Sequence, residues 1–271
     1  MNRQASTSDL LLHAPGFEAA SIGARSLSLS VRIPFCKSLC YYCTCTRLLS
    51  YEPGKALRYL DELKREIAVQ GERLGPAQRV RRLQVGGGTP TCLSNLQLSE
   101  LLACLRNHFD FAPDSLGDYC IEADPRTVTP ARVGMLRRQG FNQLALSVPD
   151  FDLAVQRAIN RIQTQADTSA LVRAAREQGY RSVSIDLICG LPLQTLSTIA
   201  YTLKRVIDTA PDSIALRNFE HQPQLFKSQR LIRAAELPSP ERKREMLDLC
   251  RALLTNAGYR ATANDHFTRT H

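Results

Sequence analysis

The chain has 271 residues, with 35 Lys and Arg against 26 Asp and Glu, a net charge of +9. At 44% hydrophobic and 23% charged it has the composition of a globular protein with a sizeable core, which excludes disorder, collagen and coiled coil as the overall class. No apolar run nears the roughly 18 residues that span a bilayer, and Leu10–Leu12, broken by His13 and Pro15, is too weak for a signal peptide, so a cytoplasmic location with no membrane span is expected.

Residues 1–25 show no clean period and are expected to form an N-terminal extension with little structure of its own. Leu27, Leu29, Val31 and Ile33 alternate with Ser28, Ser30 and Arg32, which predicts a strand ended by Pro34. Leu57, Leu60, Leu63 and Ile67 recur at helical spacing. A strand over 80–85 leads into Gly86-Gly87-Gly88-Thr89-Pro90, and a helix over 97–109 puts Leu98, Leu101, Leu102 and Leu105 on one face. The next strand ends at Ile121-Glu122-Ala123-Asp124-Pro125, and a helix over 129–138 precedes Phe141–Leu146. A helix over 165–178 stops near Gly179, a C-cap residue type, before a strand at Ser182–Ile188 and then Gly190-Leu191-Pro192. A helix over 195–208, the stretch Ser213–Leu216, a helix over 240–256 and a short strand complete the pattern.

Strand and helix alternate roughly six times, which implies an α/β domain with a parallel sheet covered by helices. The period alone leaves open whether the sheet curls towards a barrel or lies open and doubly wound. In parallel sheets the ligand site lies at the carboxyl ends of the strands. The cysteine-rich loop, the glycine run, Glu122, Asp124, Pro149 and Asp186 all fall near such ends in this reading.

The nine cysteines are an odd number in a chain with no secretory signal, which argues against a disulfide framework. Cys36, Cys40 and Cys43 have the spacing C-x3-C-x2-C, with Cys45 close behind. Three thiolates on one loop can hold three irons of a cubane and leave the fourth without a protein ligand. A zinc site with Cys45 as fourth thiolate, or no metal at all, are the alternatives. Cys92, Cys104, Cys120, Cys189 and Cys250 read as buried small hydrophobes. The glycine triplet either lets the chain approach a ligand closely or makes a plain turn. Glu122 and Asp186, acids in apolar strands, need partners, either a nearby Arg or a ligand amine or hydroxyl.

These residues resemble the radical S-adenosylmethionine enzymes, and within them the oxygen-independent coproporphyrinogen III oxidase family. The resemblance is carried by Ile33-Pro-Phe-Cys36, Cys40-Tyr-Tyr-Cys43-Thr-Cys45, Gly86-Gly-Gly-Thr-Pro-Thr91, Ile121-Glu-Ala-Asp-Pro-Arg126, Val155–Arg161, Ile185–Pro192 and Asp265-His-Phe267. The extra Cys45 points to the oxidases, since the related haem chaperones usually carry Phe there. The resemblance implies a partial, open (β/α)6 barrel over 26–271, without the helical C-terminal domain with which the family normally continues. It implies a [4Fe–4S] cluster on Cys36, Cys40 and Cys43, with Cys45 not a ligand. S-adenosylmethionine would chelate the open iron, Gly87, Gly88 and Thr89 would hold its amino-acid end, and Tyr42 would pack near the adenine. Glu122, Arg161 and Asp186 map to further cofactor contacts. No catalytic residue is singled out.

The implied activity is oxidoreductase chemistry in haem biosynthesis: radical decarboxylation of coproporphyrinogen III propionates to vinyls, giving protoporphyrinogen IX. An electron donor of unspecified identity and a monomeric state go with it. The alternatives are a haem-binding, chaperone-like relative and a truncated inactive paralogue. The positive charge fits a substrate with four carboxylates, with Arg32, Lys37, Arg47 and Arg126 near predicted strand ends. The basic residues are dispersed and carry no nucleic-acid motif, so no nucleic acid is expected as a partner. Five positions depart from the family pattern: Ser30, Arg32, Pro149, Cys189 and Glu220.

Overall fold

Leu27, Leu29, Val31 and Ile33 are fully buried, and the residues between them are not, so the two-residue period of the sequence is the period of a strand with one face in the core. The computed structural model describes residues 16–23, 26–44, 48–49, 53–74, 78–263 and 265–269. Its strands are β1 (Phe17–Gly23), β2 (Ser26–Ile33), β3 (Phe35–Cys36), β4 (Leu48–Leu49), β5 (Arg79–Gly87), β6 (Asp110–Phe111), β7 (Asp118–Ala123), β8 (Gln143–Ser147), β9 (Ser182–Cys189), β10 (Ser213–Asn218), β11 (Tyr259–Ala263) and β12 (His266–Arg269). Its helices are α1 (Pro53–Leu74), α2 (Asn95–His108), α3 (Pro130–Arg138), α4 (Leu153–Ala158), α5 (Gln165–Glu177), α6 (Leu196–Asp208) and α7 (Pro240–Asn256). No described helix is long and apolar enough to cross a membrane.

The sequence reading kept one core domain, whereas contacts sort the chain into two compact units. The first draws its described residues from Met1–Ser38, Cys45–Ala123 and Met135–Gln143, the second from Leu39–Thr44, Asp124–Gly134 and Leu144–His271.

In the first unit β1 runs antiparallel to β2, β2 parallel to β5, and β5 parallel to β7. The register sets Ile33 opposite Gly87 and Val85 opposite Ile121. Residues 17–23 therefore form a strand where the sequence suggested an unstructured extension; the rest of that extension, apart from Gly16, lies outside the described residues. Beyond Phe17, β1 is mostly exposed and made of small residues, so it carries no alternating signal. Helix α2 opens on a reciprocal cap: Gln97 N donates to Ser94 Oγ at 3.2 Å and Ser94 N to Gln97 Oε1 at 2.8 Å. Its four predicted leucines, Leu98, Leu101, Leu102 and Leu105, are all buried. Along α1 the stripe is Ala56, Tyr59, Leu60, Leu63 and Ile67, whereas Leu57 is 54% exposed. Two successive steps of three residues carry Leu57 about 120° away from Leu63 around a helix that turns 100° per residue, so it falls off the face.

In the second unit β9 pairs parallel with β10, β10 antiparallel with β12, and β12 antiparallel with β11. Val183, Ile185, Leu187 and Cys189 fill the buried face of β9, which places Asp186 on the other face. Asp186 stands mid-strand, with three residues of β9 still to follow, rather than at the strand's end as expected. Helix α4 escaped the periodicity reading because six residues are too few to show a helical stripe. Its signal is Asp152, whose carboxylate accepts from Ala154 N at 2.9 Å and Val155 N at 3.1 Å.

The chain leaving β8 is fixed by Asp150, which is 1% exposed. Its carboxylate accepts from Thr202 Oγ1 on α6 at 2.5 Å, Gln194 Nε2 at 2.6 Å and Asp152 N at 2.7 Å. Gln194 in turn donates to Ile188 O and accepts from Gly190 N, which fixes the turn after β9. Asp150→Ala strands three donors in the interior. At about 1–3 kcal/mol for a buried group left unsatisfied, the unfolding free energy should fall by about 2–4 kcal/mol, read as a lower urea midpoint at unchanged m-value.

Candidate functional site

The first unit holds Cys36 and the glycine run. Strand β2 ends at Ile33, and the chain continues through Pro34 to β3, which carries Cys36. Gly88 N donates to Ile33 O and Thr89 N to Phe35 O, both at 2.8 Å, so the run after β5 is zipped onto the segment leading to Cys36. This contact requires glycine. A Cβ on Gly88 would stand 2.8 Å from Phe35 O and 2.9 Å from Ile33 O, and Gly87 has φ +105, a conformation that side chains rarely adopt. Thr89, 7% exposed, brings its Oγ1 to 3.5 Å from Cys36 Sγ. Glu122, on the half-exposed face of β7, accepts from Gln84 Nε2 at 3.0 Å and from Gly87 N at 3.2 Å. The neighbours of this strand acid thus include an amide and the glycine run's backbone.

The second unit holds Cys40, Tyr42 and Cys43 with the residues around them. Tyr41 N donates to Ile159 O at 3.0 Å, and Asn160 Nδ2 to Leu39 O at 2.7 Å, which ties the loop to the end of α4. On the other side the fully buried Gln229 donates from Nε2 to Tyr42 O at 3.1 Å, while its Oε1 accepts from Gln222 N at 2.6 Å. Tyr41 and Tyr42 pack on Val155, Ile159, Leu191, Phe219 and Ile232.

A charged network surrounds Cys40. Asp124, 6% exposed, takes Arg126 Nη2 on Oδ2 at 2.6 Å and Arg126 Nε on Oδ1 at 3.0 Å. Arg161 Nη1 reaches the same Oδ2 at 3.0 Å. Both guanidiniums also approach Cys40 Sγ, Arg126 Nη2 at 3.4 Å and Arg161 Nη1 at 3.6 Å. Arg161 is anchored further, with Nη2 on Ser147 O at 2.8 Å and Nε on Gln163 Oε1 at 3.2 Å. Burial alone would raise the Asp124 pKa, but the hydrogen bonds and charge of Arg126 and Arg161 outweigh it and hold the carboxyl below its usual range. Burial pushes the Tyr42 phenol well above its ordinary value, with Arg161 acting against it.

Asp186 joins neither group. Arg217 lies 3.8 Å from its carboxylate, and burial raises its pKa against the pull of Arg217 and His266. Of the expected basic residues, Arg32 pairs with Glu18 at 3.2 Å, Arg126 turns to Asp124, and Lys37 is exposed. Arg47 and Cys45 lie outside the described residues. The other departures from the family pattern have local partners: Ile188 N donates to Pro149 O at 3.2 Å, and Gln222 Nε2 to Glu220 at 3.1 Å. Cys189 is buried, and burial pushes its thiol up to about 11. Cys250 is buried as expected, whereas Cys92, Cys104 and Cys120 are only half-buried.

The donor set suits an iron–sulfur cluster. Cys36, Cys40 and Cys43 carry no disulfide, the Cys40 sulfur has two guanidinium donors aimed at it, and the Cys36 sulfur has a hydroxyl within hydrogen-bond reach, groups that can offset the negative charge of coordinated thiolates. Among the described residues no three His, Cys, Asp or Glu side chains group closely enough to share one metal ion, whereas the ligands of a cubane each bind their own iron. The glycine run, its backbone crowded against Ile33 and Phe35, leaves a surface without side chains on the chain between β5 and Thr89.

Residues 30–206 match the family model of the Radical SAM superfamily. The chain is 46% identical over 241 residues to the oxygen-independent coproporphyrinogen III oxidase of Pseudomonas aeruginosa, covering 89% of this chain and 52% of that protein. It is 44% identical over 245 residues to the protein of the same name from Escherichia coli, covering 90% and 53%. The solved coproporphyrinogen III oxidase of Escherichia coli, described as a radical SAM enzyme, superposes with a TM-score of 0.86 at 40% identity, over 98% of this chain and 59% of that one. The chain thus spans about half the length of the curated relatives it matches.

Two outcomes follow from this geometry. Gly88→Ala should force the glycine run off Ile33 and Phe35, lowering stability by about 1–3 kcal/mol, in the range of overpacking, in a denaturant titration. Asp124→Asn leaves two guanidiniums without their shared counter-charge and should cost about 3 kcal/mol at neutral pH. Because the folded pKa of Asp124 is lowered, its contribution is complete above the unfolded value near 3.9 and is lost as pH falls through the folded value. The gap between wild type and variant should therefore narrow on acidification; a constant gap across a pH series of urea midpoints would contradict this assignment.

Proposed function

The chain belongs to the radical S-adenosylmethionine superfamily, and from that premise we propose that it carries the catalytic core of an oxygen-independent coproporphyrinogen III oxidase. Its cofactors are those of the superfamily, S-adenosylmethionine and a [4Fe–4S] cluster. The observation that carries the reading is the 40–46% identity to proteins of that name over 89–98% of this chain. The same relatives favour the oxidase over the haem-chaperone alternative.

When bound, the cofactor pair supplies a one-electron cleavage that yields a hydrogen-abstracting radical; the protein's part is to bind, orient and shield. Cys36, Cys40 and Cys43 hold the cluster. The cationic pair Arg126 and Arg161 donates towards the Cys40 sulfur, and the Thr89 hydroxyl lies beside that of Cys36. Gly87 and Gly88 present bare backbone to the amino-acid end of S-adenosylmethionine, with Thr89 beside them. Glu122 fixes that backbone through Gly87 N and is a further contact for the cofactor. Tyr42, held by packing and by Gln229, faces the adenine. Arg161 and Asp186 complete the cofactor contacts. The substrate is the tetrapyrrole coproporphyrinogen III, whose four carboxylates suit a chain of net charge +9. The product is protoporphyrinogen IX, the setting the cytoplasm, and the working form a monomer served by a one-electron donor.

The test is anaerobic reconstitution with iron and sulfide, followed by S-adenosylmethionine, dithionite and coproporphyrinogen III. We expect release of 5′-deoxyadenosine and appearance of vinyl-bearing porphyrinogen. Replacing Cys36, Cys40 and Cys43 together by Ala should remove the bound iron and both products. Iron content unchanged in that variant would refute the ligand assignment, and no deoxyadenosine from fully loaded wild type would refute the activity.

A further inference from the structure

Arg126 is not among the S-adenosylmethionine contacts above, and its guanidinium does two things at once. It grips Asp124 through Nε and Nη2, and the same Nη2 lies 3.4 Å from Cys40 Sγ, nearer than Arg161. Its direction is fixed by the 3-10 turn Pro125–Thr127, where Asp124 Oδ1 also accepts from Arg126 N at 3.0 Å. We propose that Arg126 is a positioning residue that acts on the cluster through the Cys40 sulfur, raising its reduction potential. The proposal rests on the reading that Cys36, Cys40 and Cys43 hold the cluster.

The argument is one of charge. A reduced cluster carries one more negative charge than the oxidised one, so a fixed cation and an N–H donor at a ligand sulfur favour the reduced state. Arg126 and Arg161 contribute two positive charges and Asp124 one negative, which leaves one net positive charge beside Cys40. Removing Arg126 cancels that excess. Because Arg161 stays on Asp124, the carboxylate keeps a partner and the surrounding fold keeps its support. Arg126 itself has a side chain 22% exposed, so its loss opens little of the interior.

The experiment uses the anaerobically reconstituted chain and follows the reduced-cluster signal by electron paramagnetic resonance in a mediated redox titration. Arg126→Met should bind iron and sulfide as wild type does, while the ratio of reduced to oxidised cluster at a fixed potential falls about tenfold, which is 59 mV for one electron. Arg126→Lys, which keeps the charge but loses the fork, should fall by less. A fully loaded Arg126→Met with the wild-type midpoint would overturn the proposal and leave Arg126 a structural partner of Asp124. Should Arg126→Met fail to load, Arg126→Gln and Arg126→Lys carry the measurement, and wild-type midpoints in both overturn it equally. Failure of the underlying reading looks different: the triple Cys→Ala variant would keep its iron, and the proposal would fall with the ligand assignment.

Discussion

Asp124 is one carboxylate shared by two guanidiniums in a place where water is nearly excluded. Without it a buried and a half-buried cation would repel each other and lack a partner for their N–H groups, at a cost of several kcal/mol to the fold. With it, Arg161 is aimed at Ser147 and Gln163, Arg126 is turned back along its own 3-10 turn, and both guanidiniums reach the Cys40 sulfur. The chemistry proposed for the cysteine loop therefore begins with a carboxylate whose described partners are two guanidiniums and its own turn. Asp150 plays a parallel part away from the sulfur atoms, joining the end of β8 to α6 and, through Gln194, to the turn after β9.

Much of the fold was readable from periodicity. The strands β2, β5, β7, β9 and β10 and the helices α2, α5, α6 and α7 lie within a few residues of where alternation or helical spacing placed them. The misses have physical reasons. Strand β1 is a partly exposed edge of small residues, so nothing alternates along it, and α4 is shorter than two turns. Leu57 looked like part of a stripe because it is three residues from Leu60, but steps of three drift around the helix and the face had passed to Ala56.

The site was legible in its contiguous parts only. The cysteine spacing and the glycine run are local in sequence, so their chemistry can be argued from types and intervals. Arg126 and Arg161 meet Cys40 across 86 and 121 residues of chain, separations no spacing rule spans. Arg161 was reached through resemblance, and Arg126 was assigned to a basic mouth before the structure turned it towards sulfur. Gln229, buried under Tyr42, comes from a polar loop whose sequence announces nothing; only its lack of exposure marks it.

The cysteine loop is fastened from both sides by the polypeptide itself. Its backbone is claimed by Ile159 and Asn160 on one side and by Gln229 on the other, and Asn160 meets Leu39 from a left-handed conformation, φ 53, that asparagine tolerates better than most residues. Zinc fingers collapse when stripped because metal supplies their folding energy. Here three of the loop's backbone polar groups are answered by the chain itself: Tyr41 N by Ile159 O, Leu39 O by Asn160 and Tyr42 O by Gln229. A cluster bound at this loop meets backbone that other parts of the chain already hold, which lowers the ordering entropy that binding has to overcome.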